Sequence, residues 1–257
     1  MTYVVSAWSE SGGEGKTSLG VHLAAGLSIR GKSALLVDLD PQASGTRHLG
    51  HEPDGIPGSA ALVKGRTKNA FVTYEPPARG MGKAFRLSPA SPELYRIRGR
   101  GGFNAERFRE TLENLPEDFV IIDLGPGYSG LTISALLASD EVLCPVRVNS
   151  SKGLDSTEQV LRSIQELRAE NPGLDFGGVV PWQVGGTSKL VSDVLKYLKK
   201  NYGRDCYRAR VRNSVRMPES MCSGVPVFDL DGRMDGPSGD LLKVVDEFLR
   251  RNKKRCA

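Results

Sequence analysis

Tyr3-Val4-Val5-Ser6-Ala7-Trp8-Ser9-Glu10-Ser11-Gly12-Gly13-Glu14-Gly15-Lys16-Thr17-Ser18 is the stretch that decides how this chain folds. The apolar run 3–8 reads as a short buried strand. A glycine-rich turn, 11–15, follows it. The next segment, 16–30, reads as a helix whose Leu19, Leu23 and Leu27 recur at i+4 and mark a buried face. Gly31 supplies the stop. Strand, glycine-rich turn, Gly-Lys-Thr and helix is the arrangement that cradles phosphates. Backbone N–H groups of the turn and the positive helix N-terminus point at the anion, and glycines let the backbone curl close to it. Lys16 is expected to reach the β- and γ-phosphates, and the Thr17 hydroxyl to coordinate Mg²⁺. The expected ligands are therefore the phosphates of a nucleotide and Mg²⁺, bound by Ser11, Gly12, Gly13, Glu14, Gly15, Lys16, Thr17 and Ser18. A dinucleotide fits less well, because the glycines do not follow G-x-G-x-x-G and a Lys-Thr pair has no task there.

Outward from this stretch, further short apolar runs at 34–37, 84–87, 119–123, 141–146 and 176–181 read as strands. Segments 103–115, 131–138, 154–170, 188–202 and 238–251 read as helices, while 48–102, rich in Gly, Pro and charge, reads as loops around the one strand. Strands alternating with helices predict an α/β fold, a doubly wound and mostly parallel sheet flanked by helices on both faces. No internal repeat and no linker is evident. The expectation is one domain over 1–257 with a basic tail at about 250–257.

The 257 residues carry 39% apolar and 25% charged side chains, which excludes disorder, collagen and coiled coil. No apolar stretch approaches the ~18–20 residues that span a bilayer, and the first residues lack a signal-peptide pattern. Cys144, Cys206, Cys222 and Cys256 are far apart and form no CxxC pair, which fits a reducing cytoplasm.

The strict pattern G-x-x-x-x-G-K-[ST] is not met, since Glu10 stands at its first glycine. Gly-Gly-x-Gly-Lys-Thr instead resembles the deviant Walker A box of the ParA/MinD family of positioning ATPases. Val37-Asp38-Leu39-Asp40-Pro41-Gln42 resembles that family's second acidic motif. Ile121-Ile122-Asp123-Leu124-Gly125-Pro126 resembles its Walker B strand and switch loop. Leu87-Ser88-Pro89-Ala90, Arg212-Asn213-Ser214-Val215-Arg216 and Gly224-Val225-Pro226-Val227-Phe228 resemble its remaining motifs, in order.

The resemblance makes the nucleotide ATP and implies roles. Asp123 would hold Mg²⁺ through water, Asp38 would support the metal shell beside Thr17, and Asp40 would orient the attacking water next to Lys16. Pro181 and Trp182 match the adenine-contacting segment, although a packed Trp explains Trp182 equally well. Thr187 and Ser188 suit a helix cap. The family's signature lysine is replaced by Ser11, as in a subset resembling the ATPases that distribute carboxysomes. Lys152 is the candidate replacement, with Arg147 as its competitor.

The net charge of +5 is small, but its distribution is not even. Lys199, Lys200, Arg212, Arg216, Arg250, Arg251, Lys253 and Lys254 all lie in the C-terminal third. Such a patch suits DNA held through phosphates without regard to sequence. No aromatic stacking run accompanies it, and the tail lacks the apolar face that membrane attachment needs. The resemblance thus implies an ATP-dependent homodimer, non-specific nucleoid DNA, a ParB-like or cargo-adaptor protein that stimulates hydrolysis, and plasmid or chromosome partition. Positioning of a protein body such as a carboxysome is the alternative, as is an ATP-gated DNA scaffold with little hydrolysis. An iron–sulfur ATPase of related fold would need cysteines at a dimer axis, where none is expected.

Overall fold

Seven strands form one sheet, in the order β3-β4-β2-β5-β1-β6-β7. The structure is a computed structural model that describes residues 2–150, 152–186, 188–230 and 232–253, with Lys152 described by its backbone alone. The candidate residues Thr187, Lys254 and the Lys152 side chain therefore lie outside the described residues.

In chain order, β1 (Tyr3–Ala7) leads into α1 (Lys16–Ile29) and β2 (Ala34–Asp38), then the short helices α2 (Ser44–His48) and α3 (Gly58–Leu62). An edge hairpin of β3 (Val72–Tyr74) and β4 (Phe85–Ser88) precedes α4 (Glu93–Gly99), α5 (Ala105–Glu113) and β5 (Phe119–Asp123). The second half runs α6 (Gly130–Leu137), β6 (Glu141–Arg147), α7 (Lys152–Leu167), β7 (Asp175–Trp182) and α8 (Lys189–Tyr202). It ends in α9 (Arg216–Cys222), α10 (Val227–Leu230) and α11 (Gly236–Arg251). All pairings are parallel except β3 with β4.

Alternation along each strand builds two cores, one per sheet face. Val4, Leu35, Val37, Val120 and Ile122 face the layer containing α3 to α8. Val5, Ala34, Leu36, Phe119 and Ile121 face the layer containing α1, α10 and α11. Both layers are apolar, so the central strands carry no polar face and read as continuous hydrophobic runs.

Helix α1 ends as its sequence suggests. Gly31 adopts φ +79, its N–H bonds to the Ser28 carbonyl, and Lys32 N–H bonds to the Leu27 carbonyl. This is a Schellman closure, which requires the left-handed residue that glycine supplies. Ser188 caps α8 by accepting from Val191 N–H at 3.3 Å.

The expectation of loops over 48–102 is corrected by α3, β3 and α4, and α9 and α10 also went unpredicted. These elements are three to seven residues long. A helix of two turns shows no 3.6-residue periodicity above chance, and a three-residue edge strand no alternation.

Candidate functional site

Register places the site. β5 lies between β1 and β2, with Asp123 paired to Ala7 on one side and to Asp38 on the other. The P-loop leaves β1 just beyond Ala7, so the three motifs emerge from adjacent strand ends at the carboxyl edge of the sheet. Ligands of open α/β sheets bind at this edge.

The loop itself is tightly held. Gly15 ends it with φ +103, and the Trp182 indole packs where a Cβ would stand, its Nε1 2.6 Å from that point. Glu14 is buried, and its carboxylate accepts Arg147 N–H at 2.9 Å, tying the loop to the end of β6. Ser11 N–H donates to Ser156 Oγ of α7 at 3.2 Å. Gly127 N–H, after β5, donates to the Glu10 carbonyl at 3.0 Å.

Lys16 is folded onto its own loop, donating to the Ser11 carbonyl at 2.6 Å and to Ser9 Oγ at 3.4 Å. Burial lowers its pKa, against the raising influence of Asp123, Cys144, Asp40 and Glu14. A buried ammonium resting on a carbonyl is poised to move to a stronger anionic acceptor.

The three carboxylates differ in what they already hold. Asp38 accepts Thr46 N–H and Thr46 Oγ1–H, both at 2.7 Å, and Asp40 N–H at 3.0 Å. Burial pushes its pKa up to about 6, which these hydrogen bonds oppose. Asp40 lines the cleft and accepts Gln42 N–H at 3.0 Å. Asp123 is fully buried and neither carboxylate oxygen has a partner in hydrogen-bond geometry. Burial and then the Asp38 charge raise its pKa well above the usual range, while the Thr17 hydroxyl pulls the other way. Two unpartnered carboxylate oxygens next to a Thr hydroxyl and a phosphate loop form an incomplete cation site. Among the described residues no three His, Cys, Asp or Glu side chains make a metal cage of their own. A hard cation here would therefore draw further oxygen ligands from a bound phosphate or water.

These groups border a cleft of about 630 Å³. The loop residues Gly12, Gly13, Gly15, Lys16, Thr17 and Ser18 line it with Asp40, and the rest of its wall includes Trp182, Gln183 and the segment Arg212–Val215 with α9 residues Met217, Pro218 and Met221. That wall is mixed apolar and amide, suited to the flat face and polar edge of a base. Sequence reasoning found Trp182 with its neighbour Gln183 and quoted Asn213 within a motif without giving it a role, but missed Met217 and Pro218, which reach the cleft from the short helix α9. Pro181 belongs elsewhere: it points away from Trp182, as alternation requires, and lines a different cleft.

The cationic candidates divide. Lys199, Lys200, Arg250 and Lys253 are exposed. Arg212 is tied bidentately to Asp240, at 2.5 and 3.0 Å, and borders the 630 Å³ cleft. Arg216 pairs with Glu219 at 3.0 Å. Arg251 is partly buried, bonded to Glu247 and stacked over the Tyr207 ring at 4.0 Å. Arg147, the alternative to Lys152, reaches back toward the P-loop with Nη1 3.5 Å from the Gly13 carbonyl. No helix among the described residues is long and apolar enough to cross a membrane.

Comparison with known proteins agrees with this architecture. A family model described as an AAA domain matches residues 2–176. The chromosome partitioning protein ParA of Caulobacter vibrioides is 29% identical, the alignment covering 99% of this chain and 96% of that protein. The chromosome-partitioning ATPase Soj of Thermus thermophilus is 31% identical, over 84% of this chain and 83% of its own. Cobyrinic acid a,c-diamide synthase from Mycobacterium smegmatis, solved with ADP and magnesium, shares the fold with a TM-score of 0.80. It is 24% identical over 98% of this chain and 96% of that one.

Proposed function

Because the chain belongs to the AAA-domain family and is a ParA-like P-loop ATPase, we propose that it is an ATP-driven partition switch of the deviant Walker A type. It binds ATP with Mg²⁺, dimerises, holds nucleoid DNA without sequence preference, and leaves the DNA when a partner protein stimulates hydrolysis. The observation that carries this is Asp123, buried beside the Thr17 hydroxyl with neither oxygen in a geometrically formed hydrogen bond, at a strand end in register with the P-loop strand. Thr17 and Asp123 would hold Mg²⁺, which when bound offsets the charge of the β- and γ-phosphates. Lys16 transfers from the Ser11 carbonyl to phosphate. Asp38, which already accepts three hydrogen bonds from Thr46 and Asp40 N–H, keeps α2 and Asp40 in place beyond any part in the metal shell. Asp40 orients the attacking water.

Ser11 leaves the triphosphate one cation short at the dimer interface. Charge brought into such a dry interface must be neutralised. The stretch after β6 supplies it, through Lys152 with Arg147 beside it. The cargo is a chromosome or plasmid, in keeping with the partitioning names of both relatives.

The test is ATP turnover and ATP-dependent dimerisation, by light scattering, of the full chain and of Asp123→Asn. Magnesium-dependent turnover is expected in the former only, together with weaker magnesium-dependent tightening of ATP in the variant. Equal magnesium dependence in both would end the assignment of Asp123. Dimerisation of Lys152→Ala and Arg147→Ala like the parent would end the compensation idea.

A further inference from the structure

Helix α4 reads Glu93-Leu94-Tyr95-Arg96-Ile97-Arg98-Gly99, and its two faces differ sharply. Leu94 and Ile97, at i and i+3, are buried. Tyr95 and Arg98, at the same spacing one residue on, are exposed, as are Arg96 and the next residue past the helix, Arg100. Tyr95 is 51% exposed, one of few large side chains whose ring is left open to solvent.

The turn after α3 adds to this charge. Lys64 pairs with Glu93, which brings that turn against the start of α4. Arg66 and Lys68 follow it and are exposed. A hollow of about 560 Å³ lies here, its wall including Pro57, Ala61, Lys64, Arg66, Lys68 and Glu93. Its one carboxylate, Glu93, is spent on Lys64. Glu110 of α5 lines a different hollow, together with Arg107. Among the described residues Arg66, Lys68, Arg96, Arg98 and Arg100 have no ion pair.

The composition suits an interface. Tyrosine and arginine are the residues enriched at interface centres, where lysine and glutamate are depleted. Five unpaired cations call for an anionic partner. Two features narrow its class. The hollow offers Pro57 and Ala61 to an apolar side chain, and a nucleic-acid backbone carries phosphates but nothing apolar to place there. The Tyr95 hydroxyl accepts Gln42 Nε2–H at 2.7 Å, and among the described residues its own proton has no acceptor. A carboxylate completes that hydroxyl and strengthens the bond it already accepts.

Behind this face stands the site. Gln42 is gripped at three points: by Tyr95, by the Arg47 guanidinium on its carbonyl, and through its N–H, which donates to Asp40 Oδ1 at 3.0 Å. Asp40 Oδ1 in turn lies 2.9 Å from where a Cβ on Gly125 would stand, just past β5. One residue, Gln42, thus separates the exposed phenol from the carboxylate that orients the attacking water.

We propose that the Tyr95 face of α4, with Arg66, Lys68, Arg96, Arg98 and Arg100, docks an acidic segment of the partner protein, and that Tyr95 passes the contact through Gln42 to Asp40. The inference rests on the partner-stimulated hydrolysis proposed above and names the surface and the chemistry of the partner. Tyr95 is a positioning residue in this scheme.

The test titrates the full chain, with ATP and magnesium, with a fluorescein-labelled peptide of glutamates around one leucine. Anisotropy reads binding at low and high salt, and ATP turnover is followed in the same samples. The parent is expected to bind the peptide, less tightly at high salt, and to turn over ATP faster when it is bound. Arg96→Gln/Arg98→Gln/Arg100→Gln is expected to lose at least tenfold in peptide affinity, with ATP affinity and unstimulated turnover unchanged. Arg204→Gln/Arg208→Gln/Arg210→Gln removes the same charge from another exposed set and is expected to bind the peptide like the parent. Tyr95→Phe is expected to bind the peptide but to lose the turnover response. No salt-sensitive binding to the parent, or equal losses in the two triple variants, overturns the assignment of the surface. So does equal binding of a peptide with lysine in place of glutamate, or an α4 variant that loses duplex DNA but keeps the peptide. A turnover response retained in Tyr95→Phe overturns the relay. Peptide bound at α4 with turnover unmoved in the parent strikes the stimulated hydrolysis itself, and the relay with it.

Discussion

Gly15 is the residue on which the nucleotide loop turns. Its φ of +103 is a conformation that side chains with a Cβ rarely adopt, and Trp182 occupies the place of that Cβ. The indole is therefore a wedge under the loop, and the adenine-contacting role that the sequence suggested for Trp182 is at most shared with this packing one. Gly15→Ala combines about 1–2 kcal/mol of backbone strain with a clash of about 1–3 kcal/mol against Trp182. The expected result is loss of ATP binding with a less stable fold, read by ATP titration, denaturation and the change in Trp182 fluorescence. A variant that binds ATP and unfolds like the parent would show that the loop is not braced there. At the same scale, Asp38 and Asp123 show why residue type alone underdetermines role. Both end buried strands and face each other in register, yet one accepts three hydrogen bonds and the other has only the Thr17 hydroxyl near it, outside hydrogen-bond geometry.

Four helices meet at a pair of buried histidines. His22 of α1 contacts the Ser18 carbonyl at 2.6 Å through Nδ1 and accepts Val227 N–H, from the start of α10, at 3.0 Å through Nε2. These partners fix the proton on Nδ1. His48, at the end of α2, faces Ser220 Oγ of α9 at 3.3 Å, and the two rings meet edge to face at 5.2 Å. Ser220 Oγ donates to the Met217 carbonyl, so His48 Nε2 is the donor of that pair. The junction links the P-loop helix and the acidic-motif helix to the helix that walls the nucleotide cleft. Burial lowers the His22 pKa to about 4; burial and His22 together lower that of His48 to about 3. The unfolded chain, with ordinary histidines near 6.5, takes up these protons first. Stability from the pair is complete above about pH 6.5 and falls on acidification toward pH 4. In this window each histidine contributes about 1.4 kcal/mol per pH unit. Denaturant midpoints measured from pH 7 to 4 are expected to fall less steeply in His48→Gln than in the parent. Equal slopes would mean that His48 is not held neutral.

The whole molecule is a sheet whose carboxyl edge gathers three motifs and whose last strand separates two clefts. Its C-terminal third closes over the sheet through Glu247, which joins α11 to the segment 208–209. Glu247→Ala leaves two backbone amides and the Arg251 guanidinium without their acceptor. A cost of about 2–4 kcal/mol is expected, as a lower denaturant midpoint at unchanged slope. The same variant should disturb the cleft that Pro181 and Glu247 line while sparing ATP affinity. If ATP affinity falls equally, the two clefts share one mechanical support.

The fold class, the strand ends and the phosphate loop were legible in the sequence because each is written locally. A buried parallel strand is a run of apolar residues, and a glycine-rich turn before Lys-Thr needs no distant partner to be recognised. The C-terminal cations were equally visible as a count. Tertiary structure alone decided which of them remain free. Arg212 and Arg216 look like Arg204, Arg208 and Arg210 in the chain, but their acids stand 28 and 3 residues away, and only folding brings Asp240 to Arg212. It also gave Asp38 three donors while leaving Asp123 with none in hydrogen-bond geometry. The physical reason is common to both. Charge pairing and hydrogen-bond satisfaction are properties of neighbours in space, and the order of residues along the chain does not by itself say which donors and acids the fold brings within reach.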